Sequence, residues 1–443
     1  MPRVVSSLLP LVAVASLASL GSVGCASSGA VKPAREGRFP EARAAVNSEI
    51  QAGTMGPRAA ALVARAIVKG EVERAQGDEG LARLRELSAC AKQVDDALSS
   101  RSKKRDYLGA MSAILLIDAG VESPRGWSSW LDTPLDAPEA PFRALGARSL
   151  RSGGDGDQRR KLFLDGDEEV RRGAMRAAAD AADEDDAEGL LEAGRLDPMP
   201  AARGQAVRSA GVIGGERVVL ALKDLWPQGD VSLREAIVEA WSQGRSYEAG
   251  GAAQLHWVID SERGRPQIAA ALVVLDKDDS STGALGVLER AVHEGATSER
   301  VHAIEVVPLE NKTLREAVLK AQDDPDEVVA VAATGRLLDA KEKHGGLPDG
   351  ERAARFEKLM ALASGTTAGS GPAKLVLARF RAPGVEPLLL KDAEATEPRV
   401  RAEAGAALAA YGNLPRAVAI AADPIPRVRT SVSCAVLKAY DDR

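Results

Sequence analysis

The sequence predicts an all-α fold, an α-solenoid of stacked antiparallel helix pairs, on three observations. A short motif recurs along residues 142–436 at a spacing that suits a repeated helical unit. No stretch alternates apolar and polar residues as a half-buried strand would. Hydrophobic residues make up 45% of the chain but aromatic ones only 3%, so the core must be built from Ala, Leu and Val, which lets helices approach closely.

The clearest copy of the motif is DEEVRRGAMRAAA, from Asp167 to Ala179, in which Val170, Arg171 and Ala174 share one helix face. Its first two positions return as Phe142/Arg143, Ala202/Arg203, Leu233/Arg234, Pro266/Gln267 and Val301/His302, then as Val328/Val329, Ala373/Lys374, Val400/Arg401 and Val428/Arg429. Seven of these ten second positions are Arg or Lys, and the spacing averages about 32 residues. Asp197-Pro198, Asp324-Pro325, Glu397-Pro398 and Asp423-Pro424 precede several copies. An acidic group followed by Pro is a helix start signal, because the acid favours the helix N-terminus and Pro loses no N–H partner in the first turn.

This pattern resembles the HEAT-like repeat family, including its bacterial PBS-lyase HEAT-like form, in which a helix opening D-x-x-x-V-R-x-x-A is followed by a second helix. The resemblance covers residues 135–443. It implies a structural role for Arg171, Arg203, Arg401 and Arg429, each bonded to an acidic group or turn of the adjoining repeat. Partner-binding surface would then lie on the second helices, where Arg160, Lys223, Arg290, Arg315 and Arg355 are the candidates, with Arg159, Arg217, Lys312, Arg352 and Lys358 beside them. Second helices are expected at Gly215–Trp226, Ala284–His293, Lys312–Gln322 and Arg352–Ala363.

Along the chain, residues 1–24 carry Arg3 and an apolar run from Leu8 to Leu20, which reads as a secretory signal peptide. Gly21-Ser22-Val23-Gly24-Cys25 follows and resembles a bacterial lipoprotein processing site, with Cys25 as the lipidated residue. Residues 25–40 are expected to form the anchor and a flexible tether, since Ser, Gly, Lys, Pro and Arg dominate them. Helices are expected at Pro57–Ala75, Asp78–Leu98 and Lys103–Ala119; they lack the motif, so residues 41–134 read as an atypical N-terminal cap, with Trp127 and Trp130 packed back onto it. Residues 135–443 form the array, with its least regular stretch between Val328 and Ala373. Ten stacked pairs would make a body roughly 90 Å long. Cys90 and Cys434 would then lie at opposite ends, too far apart for a disulfide, as small buried hydrophobes.

Catalytic chemistry finds no foothold. His256, His293, His302 and His344 fall at no ligand spacing, and HExxH and CxxC are absent. Gly365–Gly371 lacks the Lys of a phosphate loop, since Pro372 follows, and the acidic turn from Asp165 lacks the Gly and Glu of a calcium loop. No cofactor and no metal are implied. The net charge of −6 gives no broad attraction to nucleic acid. The expectation is a non-catalytic scaffold that binds protein partners at the cell envelope, lipid-anchored at the outer membrane and facing the periplasm. Two alternatives are a cell-wall carbohydrate binder using Trp226, Trp241 and Trp257, and a lyase-related protein acting on a bound chromophore.

Overall fold

The computed structural model describes residues 28–104, 106–121, 135–341 and 346–443. The leader, Cys25, Trp127, Trp130 and His344 lie outside the described residues. Six helices open the body: α1 (Val31–Glu36), α2 (Phe39–Gln51), α3 (Pro57–Arg74), α4 (Gly77–Glu86), α5 (Asp95–Ser102) and α6 (Tyr107–Asp118). Pairs follow: α7 (Ala140–Ser149) with α8 (Gly156–Leu162), α9 (Glu168–Ala181) with α10 (Ala187–Leu196), and α11 (Pro200–Ile213) with α12 (Glu216–Leu225). Next come α13 (Val231–Ser242) with α14 (Ala252–Ser261), α15 (Arg265–Lys277) with α16 (Thr282–His293), and α17 (Thr297–Val306) with α18 (Lys312–Ala321). The last are α19 (Glu327–Asp339) with α20 (Asp349–Ala363), α21 (Ser370–Arg379) with α22 (Val385–Asp392), α23 (Pro398–Tyr411) with α24 (Leu414–Ala421), and α25 (Pro426–Asp441). Each of the ten motif positions falls on an odd-numbered helix from α7 to α25, and no strand occurs among the described residues.

The start signals work differently from the expectation. Asp197, Asp324 and Asp423 are not caps but stand two residues earlier, where one carboxylate oxygen accepts the backbone N–H of Met199, Asp326 and Ile425 at 2.9, 2.8 and 2.8 Å. Asp165 does the same for Asp167 at 2.9 Å. Each is an Asx turn that fixes the chain just before the helix and leaves the carboxylate free to accept more bonds. Asp167 and Asp326 then cap their helices directly.

Each odd-numbered helix from α7 to α23 packs on the next odd-numbered one, and the even-numbered helices from α8 onward, α12 excepted, pack on the odd-numbered helix that follows them. Contacts within the odd-numbered layer are generally more extensive than those within the even-numbered layer, so the odd-numbered helices take the inner, shorter side of the curve. Small residues permit this: a Cβ on Gly211 would lie 2.5 Å from Ala240 of the next helix, and one on Gly173 would lie 2.8 Å from the carbonyl oxygen of Ala144. Ala, Val and Leu fill the continuous core, as the composition predicts.

Two expectations at the N-terminus are corrected. Residues 28–40 are not a free tether. Ser28 and Gly29 bond the Glu49 carboxylate at 3.0 and 2.7 Å, and Ala30 and Ala34 are buried. Their apolar content is sparse, with Val31 and Phe39 beside the two alanines, yet it is enough where backbones lie close. Nor do the N-terminal helices cap one end of an open array. α6 packs on α7, while α3 packs on α24 and α25, α2 on α24, and α4 on α25; α3 also touches α5, and α5 touches α6. The circuit of contacts therefore closes.

The cysteine expectation falls with the open array. Cys90, in the single turn after α4, forms a disulfide with Cys434 of α25, with Cα atoms 5.6 Å apart and 344 residues between them in sequence. Counting repeats outward from one end placed them apart. The α3–α25 contact brings them together.

Candidate functional site

The repeated Arg is the fourth residue of seven odd-numbered helices: Arg143, Arg171, Arg203, Arg234, Arg300, Arg401 and Arg429. From that position the guanidinium can reach back over the preceding turn and sideways to the next repeat. Arg171 donates to the Asp165 carbonyl at 2.8 Å and to both carboxylate oxygens of Asp197 at 2.6 and 2.9 Å. Arg401 donates to the carbonyls of Ala395 and Thr396 and to both oxygens of Asp423 at 2.7 and 3.1 Å. Arg143 holds Asp165 at 2.9 Å through two bonds. A planar fork with fixed donors suits this double duty, which a point-charge ammonium could not perform. The acidic partners hold the guanidinium pKa of Arg143, Arg171 and Arg401 above its ordinary value, against the opposing effect of burial.

Looser steps continue the ladder: Arg203 to Asp230 at 3.6 Å, Arg234 to Glu262 at 3.3 Å and Lys374 to Asp392 at 2.7 Å. At the sixth step the ladder position lies one residue before the Val301/His302 motif. Arg300 makes the ladder contact, at 2.6 Å to Asp324 and 3.3 Å to Asp326, and His302 lies two residues on. The missed signal was the Arg-to-Asp interval, which is 22 residues for Arg143–Asp165 and 24 for Arg300–Asp324.

Two steps lack the pair. The fourth residue of α15 is Ile268 and that of α19 is Ala330, both buried. At the first gap Gln267 instead bonds the Ile259 carbonyl of the preceding helix α14 at 2.7 Å. Among odd-numbered helices from α7 onward, α15–α17 and α19–α21 are the thinnest contacts, and a cleft opens at each. The first, of about 330 Å³, is lined by Arg263, Arg290, Glu294 and Glu299 over Ile268 and Val287. The second, of about 700 Å³, lies along α17, α19, α21 and α23 and is lined by Val301, Val331, Ala332, Leu375 and Ala406, with Glu305 at its edge. All its lining residues belong to odd-numbered helices, which places it on the inner side.

The five candidate partner-binding residues do not form one basic face. Arg160 is bound to Asp157 and Asp186 at 2.7 and 2.9 Å, and Arg355 lies 3.4 Å from Asp323, which Lys358 also holds at 2.9 Å. Arg315 donates to the Gly346 carbonyl, and Lys223 stands 5.9 Å above the Trp257 ring. Arg290 alone of the five lines the cleft at the first gap. Arg159, expected to project outward, is fully buried and bonds Asp183, Asp186 and two carbonyls. The tryptophans offer no sugar-stacking platform: Trp226 and Trp241 stack at 5.5 Å inside the core, and Trp257 meets Trp226 edge-on at 5.7 Å.

Apolar exposure is concentrated elsewhere. Leu164 is 82% exposed and Leu196 66%, and each immediately precedes a ladder aspartate, Asp165 or Asp197. Both line one cleft of about 520 Å³, with Phe163, Ala193 and Pro198. Two successive repeats thus present the same leucine from turns that the ladder holds rigid.

No family model matches the chain, and no curated protein is significantly similar to it. Among the described residues no group of three or more His, Cys, Asp or Glu side chains could hold a metal ion, and no helix is long and apolar enough to cross a membrane.

Proposed function

We propose that the protein is an exported, lipid-anchored helical-repeat scaffold of the HEAT-like type, which binds protein partners at the cell envelope and carries out no chemistry of its own. The observation that carries the binding reading is the Leu164–Leu196 pair. Large apolar side chains held in water at neighbouring turns sit at a higher free energy than when a partner covers them, and exposed apolar patches of this kind mark interaction sites. The α-solenoid reading is supported by ten motif helices, each packed on the next, with a ladder of basic–acidic pairs at all but two of the steps. Export is supported by the Cys90–Cys434 disulfide, because such bonds persist in oxidising compartments. Lipid anchoring rests on Cys25 and its upstream residues, and the outer membrane on Ala26, which stands where an inner-membrane retention Asp would be.

Crosslinked affinity capture from envelope fractions tests the binding reading. The native chain is expected to retain a protein that the Leu164→Ser/Leu196→Ser variant loses, with unchanged thermal unfolding. Equal retention by both would remove the patch as the site. Palmitate labelling of the native chain but not of Cys25→Ala checks the anchor.

A further inference from the structure

The N-terminal helices meet the last repeat through three interactions within a few residues of each other. Cys434 is bonded to Cys90. Five residues earlier in α25, Arg429 bonds Glu71 of α3 at 3.1 Å and lies 4.0 Å above the ring of Phe39 of α2. Only the first is covalent. Both cysteines are buried, Cys90 the more deeply, and Cys434 lies against the wall of an open cleft of about 380 Å³ together with Glu86, Ala89, Arg427, Ser431 and Lys438. Arg427 and Lys438 in that cleft draw a thiolate, the nucleophile of disulfide exchange, toward the Cys434 end of the bond.

We propose that this disulfide is a redox-operated clasp: reduction by a small dithiol releases α1–α6 from α24 and α25 and opens the closed circuit of helices. One thiolate of the dithiol attacks Sγ of Cys434. The S–S bond breaks, and Cys90 leaves as a thiolate that takes a proton. The second thiol of the dithiol then attacks the mixed disulfide, and Cys434 leaves and is protonated. The dithiol ends as a cyclic disulfide, and its two electrons reside on the two cysteine thiols. What remains at the seam is one ion pair, one ring contact and apolar packing. Such a seam opens locally at a rate that the covalent link had suppressed. The opening does not depend on which partner the protein binds.

The test uses the full chain, oxidised or treated with dithiothreitol under native conditions, with Cys90 and Cys434 followed by alkylation and peptide mapping. Reduction is expected to raise amide hydrogen exchange in α3 and α25 at least tenfold while α9–α11 stay unchanged. Double electron–electron resonance between labels on α2 and α24 is expected to gain a longer-distance population. Cys90→Ser/Cys434→Ser should behave as the reduced protein without reductant. If that variant does not fold, reduction of the folded native chain decides alone. Cysteines that resist dithiothreitol, or exchange in α3 and α25 that is the same before and after reduction, would overturn the clasp.

Discussion

Glu71 and Arg429 bond at 3.1 Å across 358 residues of sequence. Every other ladder arginine reaches an acid 22 to 28 residues further along the chain, whereas Arg429 reaches back to one on α3. Glu71 supplies the missing acid from α3, so the ladder continues across the join between the two ends of the fold. The environment differs there. Burial pushes the Arg429 guanidinium pKa down; Glu71 opposes the shift, while Arg83 and Arg74 add to it. One carboxylate thus holds three arginines, Arg74 at 3.1 Å, Arg83 at 3.4 Å and Arg429 at 3.1 Å.

Replacing Glu71 with Gln is therefore expected to destabilise the fold strongly. The side chains of Glu71 and Arg429 are only 4% and 6% exposed, and removing one charge leaves the other buried without compensation, which costs about 3–5 kcal/mol. Urea denaturation of native and variant protein, with the disulfide intact in both, measures the difference. A loss below about 1 kcal/mol would mean that the pair contributes little to the seam.

Close helix approach gives a second expectation. A Cβ at Gly211 would lie 2.5 Å from both the Cα and the Cβ of Ala240, so the backbone itself must move. Gly211→Ala is expected to cost about 1–3 kcal/mol despite the better helix propensity of alanine. Gly371, which meets nothing within 4 Å at the start of α21, is the control, and its substitution by Ala should not destabilise. Differential thermal unfolding of the two variants separates packing from propensity.

How much of this the sequence reveals depends on whether a contact is local to a repeat. Arg171, Arg203 and Arg401 find their acids 22 to 27 residues on, inside the period that makes the motif visible. Arg429 carries the same motif, but its partner lies on a helix with no motif at all, and periodicity cannot point there. The cysteines fail for the same reason. His302 against Arg300 is an error of register: counting from the apolar Val301 overlooked that the arginine belongs to the fourth residue of the helix. Arg159 was read as exposed because a basic run usually is solvated; nothing in its neighbours announces Asp183 and Asp186 closing over it.

The register correction is testable on its own. Arg300→Ala removes bonds to Asp324 and Asp326 at a site where the arginine side chain is 14% exposed, and a cost of about 2 kcal/mol is expected for lost charged hydrogen bonds. His302→Ala should cost under about 1 kcal/mol, as a half-buried residue outside the ladder. Equal losses at the two positions would argue against the assignment of Arg300.

Stability should fall in acid, and the direction follows from two carboxylates. Burial pushes the Asp118 pKa up, but Arg148 and then Arg176 outweigh it and hold the pKa below the usual carboxylate range. Asp165 is likewise held down, burial being outweighed by Arg143 and the backbone N–H of Asp167. A depressed folded-state pKa contributes stability that is fully present above the unfolded value of about 4 and is lost as pH falls through the folded value. Urea midpoints are expected to change little through these groups between about pH 5 and pH 7 and to drop below about pH 4. Asp165→Asn and Asp118→Asn should start lower and fall less steeply. A variant with the native slope would show that its carboxylate does not contribute.

The two ladder gaps should be the compliant part of the fold. Where Arg171 ties α9 to Asp197, sliding one helix pair against the next must break two charge-assisted bonds. At Ile268 and Ala330 the buried arginine fork is missing, the more exposed Arg379–Asp339 pair at 2.9 Å being the ion pair that joins α19 to α21, and the contacts between odd-numbered helices are thinnest at these two steps. Regions with few buried contacts open at the lower end of the local stability range. Native-state hydrogen exchange is thus expected to be faster in the first turns of α15 and α19 than in those of α9, α17 and α23, which carry Arg171, Arg300 and Arg401. The two clefts then lie at hinges, where a bound partner would meet a surface that can widen or narrow without breaking the ladder on either side. Uniform protection across all five helices would mean that apolar packing alone sets the stiffness and that the arginines add none.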